Sequence, residues 1–326
     1  MNHVCLEISH LNKRLGQHLK IEQLNLNLSR GKKIALLGLN GAGKSSFIRL
    51  LVGENLPDSG SIHYQTDAQT LLPTQVAFKK ILGYQSDTML ALSDMTGRDY
   101  LNLCASLKGL SKEDVIDKLD QVSRQWEIQD ILERGMSSLS KGNLQKLAIA
   151  QTFMSNPKIL FFDEPCQSLD PLEQDRFNQN IKSLDDIELC VFSTHNVNHA
   201  IDVADEIILF HHSKIAYHFK GEVETHYILM SREEPDKLKL IFEQSNLSVV
   251  PVGEFVYSIK SESKTKIETL NKSLELAEIP IEFFLPERQA VIPLFRLLAS
   301  GELSLDVNDN RSLSAPIVAA SIVGEK

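Results

Sequence analysis

The sequence contains no apolar run approaching the roughly 18–20 residues that a membrane span needs. Its longest are short stretches such as IALLGL (34–39) and ILFF (159–162). The opening residues, MNHVCLEISH, lack an apolar signal core, so the chain reads as cytosolic. Its four cysteines, at 5, 104, 166 and 190, form no C-x-x-C pair and no Cys/His metal spacing. That pattern fits reduced thiols and excludes a zinc or disulfide scaffold. Positive charge is also scarce: the net charge is −9, and residues 222–326 hold 17 Asp and Glu against 11 Lys and Arg, contributing −6. A binder of phosphate backbones carries the opposite sign, so composition argues against nucleic acid. There is no internal repeat and no low-complexity tract.

What is present suits two globular domains. A length of 326 residues exceeds one average domain, and a composition of 42% hydrophobic and 24% charged residues supports a full core. Alternating segments (VCLEISHL, IEQLNLNLS) lead to the buried-strand run KKIALLGL, and a helical pattern follows through GAGKSSFIRLLVG. From about residue 94 to 135 the pattern is helical and amphipathic, with Ser111 and Asp114 spaced as a capping box. Beyond it, the apolar strands KILFFDEP, ELCVFST and EIILFHH alternate with helices, which predicts a parallel α/β sheet. Composition shifts near residue 221, where strand-like HYILMS, LSVVPVGEFVYSIKS and PIEFFLP alternate with two helix-like stretches. We therefore expect a domain over 1–221 with a helical subdomain at about 94–155, and a small α+β domain over 222–326 ending in a loosely ordered tail.

Several motifs carry chemistry. GLNGAGKSS (38–46) fits G-x-x-x-x-G-K-[ST] through Gly38, Gly43, Lys44 and Ser45, directly after a buried strand and directly before a helix. In that context glycines let backbone N–H groups wrap a phosphate, Lys44 reaches the β/γ-phosphates and Ser45 is a Mg²⁺ ligand. ILFFDEP delivers Asp163 and Glu164 at the end of a buried strand, where an α/β sheet places its site. Asp163 is a candidate holder of the metal's hydration shell, and Glu164 a candidate base for the attacking water. His195 in CVFSTHN and Gln85 in KKILGYQSD also end apolar strands; taken singly, each reads as structural. LSKGN (139–143) opens a helix, where Ser140 serves either as a plain cap or as part of an anion site.

The ordered set GLNGAGKSS, YQSD, LSKGN, ILFFDEP, SLD (168–170) and STH resembles that of the ATP-binding subunits of ABC transporters, over roughly residues 4–220. The resemblance implies a P-loop ATPase core with a helical subdomain, using ATP and Mg²⁺. It places Gly38, Asn40, Gly41, Gly43, Lys44, Ser45 and Ser46 on the nucleotide, and Ser45, Gln85 and Asp163 around the metal. Glu164, His195 and Gln85 take the catalytic positions. Ser140, Gly142 and Asp170 match residues that act on the ATP held by a second subunit. The implied partners are separate transmembrane permease subunits and a homodimer or related ATPase subunit, at the cytoplasmic face of the inner membrane.

This sequence departs from the family pattern in places. The signature's first glycine is Lys141 and its glutamine is Asn143, a form that resembles the exporter branch. Cys166 follows the proline of ILFFDEP where threonine is usual. The adenine-stacking aromatic is replaced, with Leu15 at its position and His18 nearby. The region from 222 resembles both the extension of ABC-2-type exporter ATPases and the sensing domains of some importers, so a dimer-stabilising appendage and a regulatory site both stay open. Two other classes compete: a soluble ABC-type ATPase of DNA or ribosomes, and a P-loop phosphotransferase. The first usually carries twin cores, a coiled coil or zinc cysteines, none of which is present; the second needs no signature loop.

Overall fold

The computed structural model describes residues 4–15, 19–87, 95–220, 226–253, 255–261 and 263–303. The chain divides into two compact units between Lys214 and Ile215, a few residues before the compositional shift near 221.

The first unit opens with β1 (Val4–Leu15) and β2 (Leu19–Ser29), paired antiparallel, and continues into β3 (Lys32–Leu37) and α1 (Lys44–Leu51). Next come β4 (Ser59–Gln65), β5 (Thr70–Leu71), α2 (Val76–Ile81) and β6 (Leu82–Gln85). Helices α3 (Gly97–Leu107), α4 (Lys112–Gln125) and α5 (Lys141–Ala150) form the helical part. The unit then alternates β7 (Ile159–Phe162), α6 (Pro171–Lys182), β8 (Leu189–Thr194), α7 (Val197–Val203) and β9 (Glu206–His211). β10 (Lys214–Phe219) spans the division between units.

Two sheets result. β2-β1-β4-β5 is antiparallel, while β9-β3-β8-β7-β6 lie side by side in parallel. Parallel strands covered on both faces need apolar residues throughout, and every residue of β7 and β8 is buried. All five parallel strands end on one edge, so Gly38, Gln85, Asp163 and His195 leave the sheet in the same direction. Register sets their spacing. Phe162 pairs with Phe192, which brings the next residues, Asp163 and Ser193, alongside each other.

The helical part follows its caps. Thr96 and Asp99 close a full capping box on α3, and Ser111 accepts the Asp114 N–H at the start of α4. Leu101, Ala105, Val115, Leu119 and Val122 supply its buried face. Trp126 packs on Phe153 and Phe177, and Phe177 meets Phe162 edge-on at 5.4 Å, joining this layer to the sheet.

The second unit runs β11 (His226–Met230), α8 (Pro235–Ser245), β12 (Ser248–Pro251), β13 (Val256–Lys260), α9 (Lys264–Leu276), β14 (Phe283–Pro286) and α10 (Glu287–Ser300). Its antiparallel order β12-β13-β11-β14 with β-α-β-β-α-β connectivity is the ferredoxin-like arrangement. Alternate residues Leu229, Val249, Tyr257 and Ile259 form one core with Leu238, Ile267 and Leu274 of the helices. α10 packs on β11 and β14. The sequence reading assigned it no element, because Pro293 sits inside it and interrupts the expected pattern. The expected tail lies in 304–326, outside the described residues.

Tyr64 on β4 anchors α1 from outside the sheet. Its ring stacks on Phe78 at 4.3 Å, and its fully buried hydroxyl donates to Leu51 O at 2.9 Å. Tyr64→Phe keeps the packing and strands that carbonyl. The expected loss is about 1–2 kcal/mol, read as a lower denaturation midpoint by far-UV circular dichroism.

Candidate nucleotide site

The loop between β3 and α1 is shaped by Gly43. Its φ of 100° is left-handed, and a Cβ there would stand 2.7 Å from Ser213 Oγ. No side chain caps α1, so its first N–H groups are left for an external acceptor such as phosphate. Asn40 and Gly41 lie exposed on the loop, and Ser46 is half-buried on the first turn. The Lys44 side chain is 5% exposed, and its Nζ lies 2.7 Å from Gly38 O, 3.2 Å from Leu39 O and 3.1 Å from Glu164 Oε1.

Asp163 is fully buried. Its Oδ1 accepts from Ser193 Oγ at 2.6 Å and Ser45 Oγ at 3.1 Å, while Oδ2 is buried without a hydrogen-bond partner. Burial pushes its carboxyl above the usual range, against the two serine hydrogen bonds that favour the charged form. Gln85 is 1% exposed, and its Nε2 donates to Ser86 O at 2.5 Å and Asp163 O at 3.1 Å. Its Oε1 is likewise buried without a partner. Among the described residues, no group of three or more His, Cys, Asp or Glu could hold a metal. The donor set at Ser45, Gln85 and Asp163 is one carboxylate with two neutral oxygens, and one carboxylate oxygen and the Gln85 Oε1 are without a hydrogen-bond partner. It fits Mg²⁺, which takes few protein oxygens and completes its shell with water and phosphate.

Glu164 adopts φ 48°, an uncommon left-handed conformation for a glutamate. Its N–H donates to Ser193 Oγ at 2.8 Å, and its Oε2 lies 3.0 Å from His195 Nδ1. Lys44 and His195 thus hold the two carboxylate oxygens from opposite partners. Behind them, the His199 ring packs tilted against Phe192 at 4.9 Å and contacts Thr194 Oγ1 at 3.3 Å. Burial lowers its pKa to about 4 and raises the neighbouring Cys166 thiol to about 12, so both are neutral at pH 7.

The structure therefore gathers Lys44, Ser45, Gln85, Asp163, Glu164 and His195. Ser140, Gly142 and Asp170 stand apart from them. Ser140 Oγ accepts the Asn143 N–H at 3.2 Å and Asp170 caps α6, and both residues are exposed. Among the described residues, no hydrogen bond or ion pair joins 140–142 or Asp170 to the loop 38–46 or to Asp163 and Glu164. His18 lies outside the described residues, as does the Leu15 side chain, so the adenine expectation falls there. Ser193 was missed by sequence reasoning, although it bridges both carboxylate residues; the one available signal was a serine near the end of an apolar strand.

Two outcomes follow from these shifts. The native state excludes charged His199, so its contribution to stability is complete above about pH 6.5 and is lost as pH falls towards about 4. The unfolding free energy from urea titrations should drop across that window by on the order of 3 kcal/mol, with a flatter profile in His199→Gln. At Asp163 the native state disfavours the carboxylate that neutral pH imposes. Asp163→Asn, which keeps an acceptor for both serines, should raise the thermal midpoint at pH 7.5.

Residues 21–167 match the ABC transporter family. An uncharacterised ABC transporter ATP-binding protein of Bacillus subtilis, YxlF, is 28% identical over 67% of this chain and 71% of its own length. NatA, an ABC transporter ATP-binding protein of the same organism, is 27% identical over 68% and 88%. The sulfate/thiosulfate import ATP-binding protein CysA of Pectobacterium atrosepticum is 29% identical over 67% and 72%. Among solved structures, a dimeric ATP-binding cassette bound to ADP and Pi superposes with a TM-score of 0.59 at 21% identity, covering 67% of this chain and 99% of that one, a likeness of fold. Phosphate loop, carboxylates and cassette fold agree with that match, so residues 21–167 form an ABC transporter ATP-binding domain, and the chain is similar to ABC transporter ATP-binding proteins.

Proposed function

We propose that this chain powers an exporter, binding ATP in its own phosphate loop and completing the site with a second copy. The observation that carries this reading is the separation just described. Six site residues meet at the strand ends, whereas the signature helix presents exposed Ser140 and half-buried Gly142 without touching them. A helix N-terminus without acidic residues in its first turn suits an anion supplied by another molecule.

In this reading Lys44 and the N–H groups of 38–46 hold the phosphates. Gly38, Asn40, Gly41, Gly43 and Ser46 shape that cradle. Ser45, Gln85 and Asp163 would hold Mg²⁺, which supplies charge neutralisation on the phosphate oxygens when bound. Glu164 orients and deprotonates the attacking water, His195 fixes the Glu164 carboxylate, and Gln85 links the metal oxygens to β6. Ser140, Gly142 and Asp170 of the second copy close over the γ-phosphate.

No helix among the described residues is long and apolar enough to cross a membrane. Transport then requires separate permease subunits, with this chain on the cytoplasmic face of the inner membrane. The Ser140-Lys141-Gly142 signature supports export, and the likeness to the import ATP-binding protein CysA keeps an importer ATPase as the second reading. We take 1–221 as the ATPase domain and 222–326 as an accessory domain that stabilises the dimer or regulates it.

Ser140→Arg and Glu164→Gln separate the parts of this reading. Ser140→Arg should bind ATP normally and fail both to pair and to hydrolyse. Glu164→Gln should pair on ATP and lose about 10²- to 10³-fold in turnover. Phosphate release and sedimentation report each step, and full hydrolysis by Ser140→Arg would exclude a composite site. Vesicles carrying the co-purifying permease decide the direction of transport.

A further inference from the structure

The start of α5 and the start of α6 are tied together by one side chain, Glu173. Its Oε2 accepts the Asp170 N–H at 3.3 Å, closing the capping box at the head of α6. Its other oxygen, Oε1, lies 3.1 Å from Lys146 Nζ on α5. The two side chains are only 20% and 16% exposed, so solvent screens this pair less than an open surface pair. The backbones approach closely at the same place, since a Cβ on Gly142 would stand 2.9 Å from Ser168 O. Around it, Arg176 of α6 pairs with Glu127 at 2.7 Å, and Lys146 Nζ reaches Glu127 O at 3.4 Å. Trp126 and Phe177 close the apolar side.

Ser140 and Asp170 lie far apart in sequence, yet each stands at the head of a helix that Glu173 holds. We infer that Glu173 and Lys146 are positioning residues that lock the signature helix to the Asp170 loop, so that both reach a second copy as one preset surface. The inference rests on the composite-site reading. Neither residue touches the phosphate loop. Breaking the pair leaves each subunit's own nucleotide contacts intact and lets the two helix heads move independently. Closure must then order them, which weakens ATP-driven pairing without weakening nucleotide binding.

Sedimentation in a Glu164→Gln parent, titrated with MgATP, tests this. Lys146→Met removes the charge and keeps the aliphatic stem. Glu173→Gln keeps an acceptor for the Asp170 N–H and removes the ion pair. Each should raise the ATP concentration for half-pairing roughly five- to tenfold. The double variant should go no further, because both remove one interaction. Lys146→Arg should restore the parent value. ADP affinity and thermal midpoint, which closure does not enter, should stay at parent values throughout. Variants that pair at the parent's ATP concentration overturn the coupling, as does a parallel loss of ADP affinity. A parent that stays monomeric on ATP overturns the composite site and the coupling with it.

Discussion

A carboxylate taken wholly out of water organises this molecule. Asp163 can be fully buried because Ser45 and Ser193 donate to one of its oxygens, and those serines arrive from different parts of the chain. Ser45 requires α1 to start where Gly43 turns it, and Ser193 requires β8 to lie in register beside β7. The same Ser193 hydroxyl receives the Glu164 N–H, so the strained turn at Glu164 is held by the group that tethers Asp163. Loss of any one of these alignments would leave a charge in a low-dielectric interior without compensation, where the penalty reaches several kcal/mol. Strand order, loop shape and the direction of Glu164 are thus constrained together.

The cassette itself is an economical arrangement of these constraints. Strand ends provide acids and a histidine, a helix start provides N–H groups, and a buried lysine lies between them. Ser140 and Asp170 are kept out of this cluster and exposed at the heads of α5 and α6, which makes the isolated chain chemically incomplete on the composite reading.

What could be read in the sequence was whatever is contiguous. GLNGAGKSS and ILFFDEP each contain the strand end and the chemical group in a single run, so the fold and most of the site were visible there. Ser193 was not visible, because a serine at a strand end gains meaning only from the pairing of Phe162 with Phe192. The pairing of Lys146 with Glu173 was hidden for the same reason, since it depends on how α5 crosses the head of α6. In the second unit, alternation revealed strands but not their order, which the connections through α8 and α9 decide. α10 escaped because an interior proline broke the pattern that identifies a helix.

The position of Gln85 has a mechanical side. β3, β7 and β8 are each hydrogen-bonded on both flanks, and a shift of any would break two ladders at once. β6 is four residues long and stands last in the sheet order; among the described residues its one ladder is with β7, and its carbonyls at Leu82 and Tyr84 accept instead from Lys108 Nζ and Gln151 Nε2, each at 2.6 Å. Gln85 therefore sits on a strand held by one ladder and by two side chains rather than by a second strand. Displacing Gln85 breaks one ladder and those two side-chain bonds, whereas displacing the strand that carries Asp163 to its place breaks two ladders.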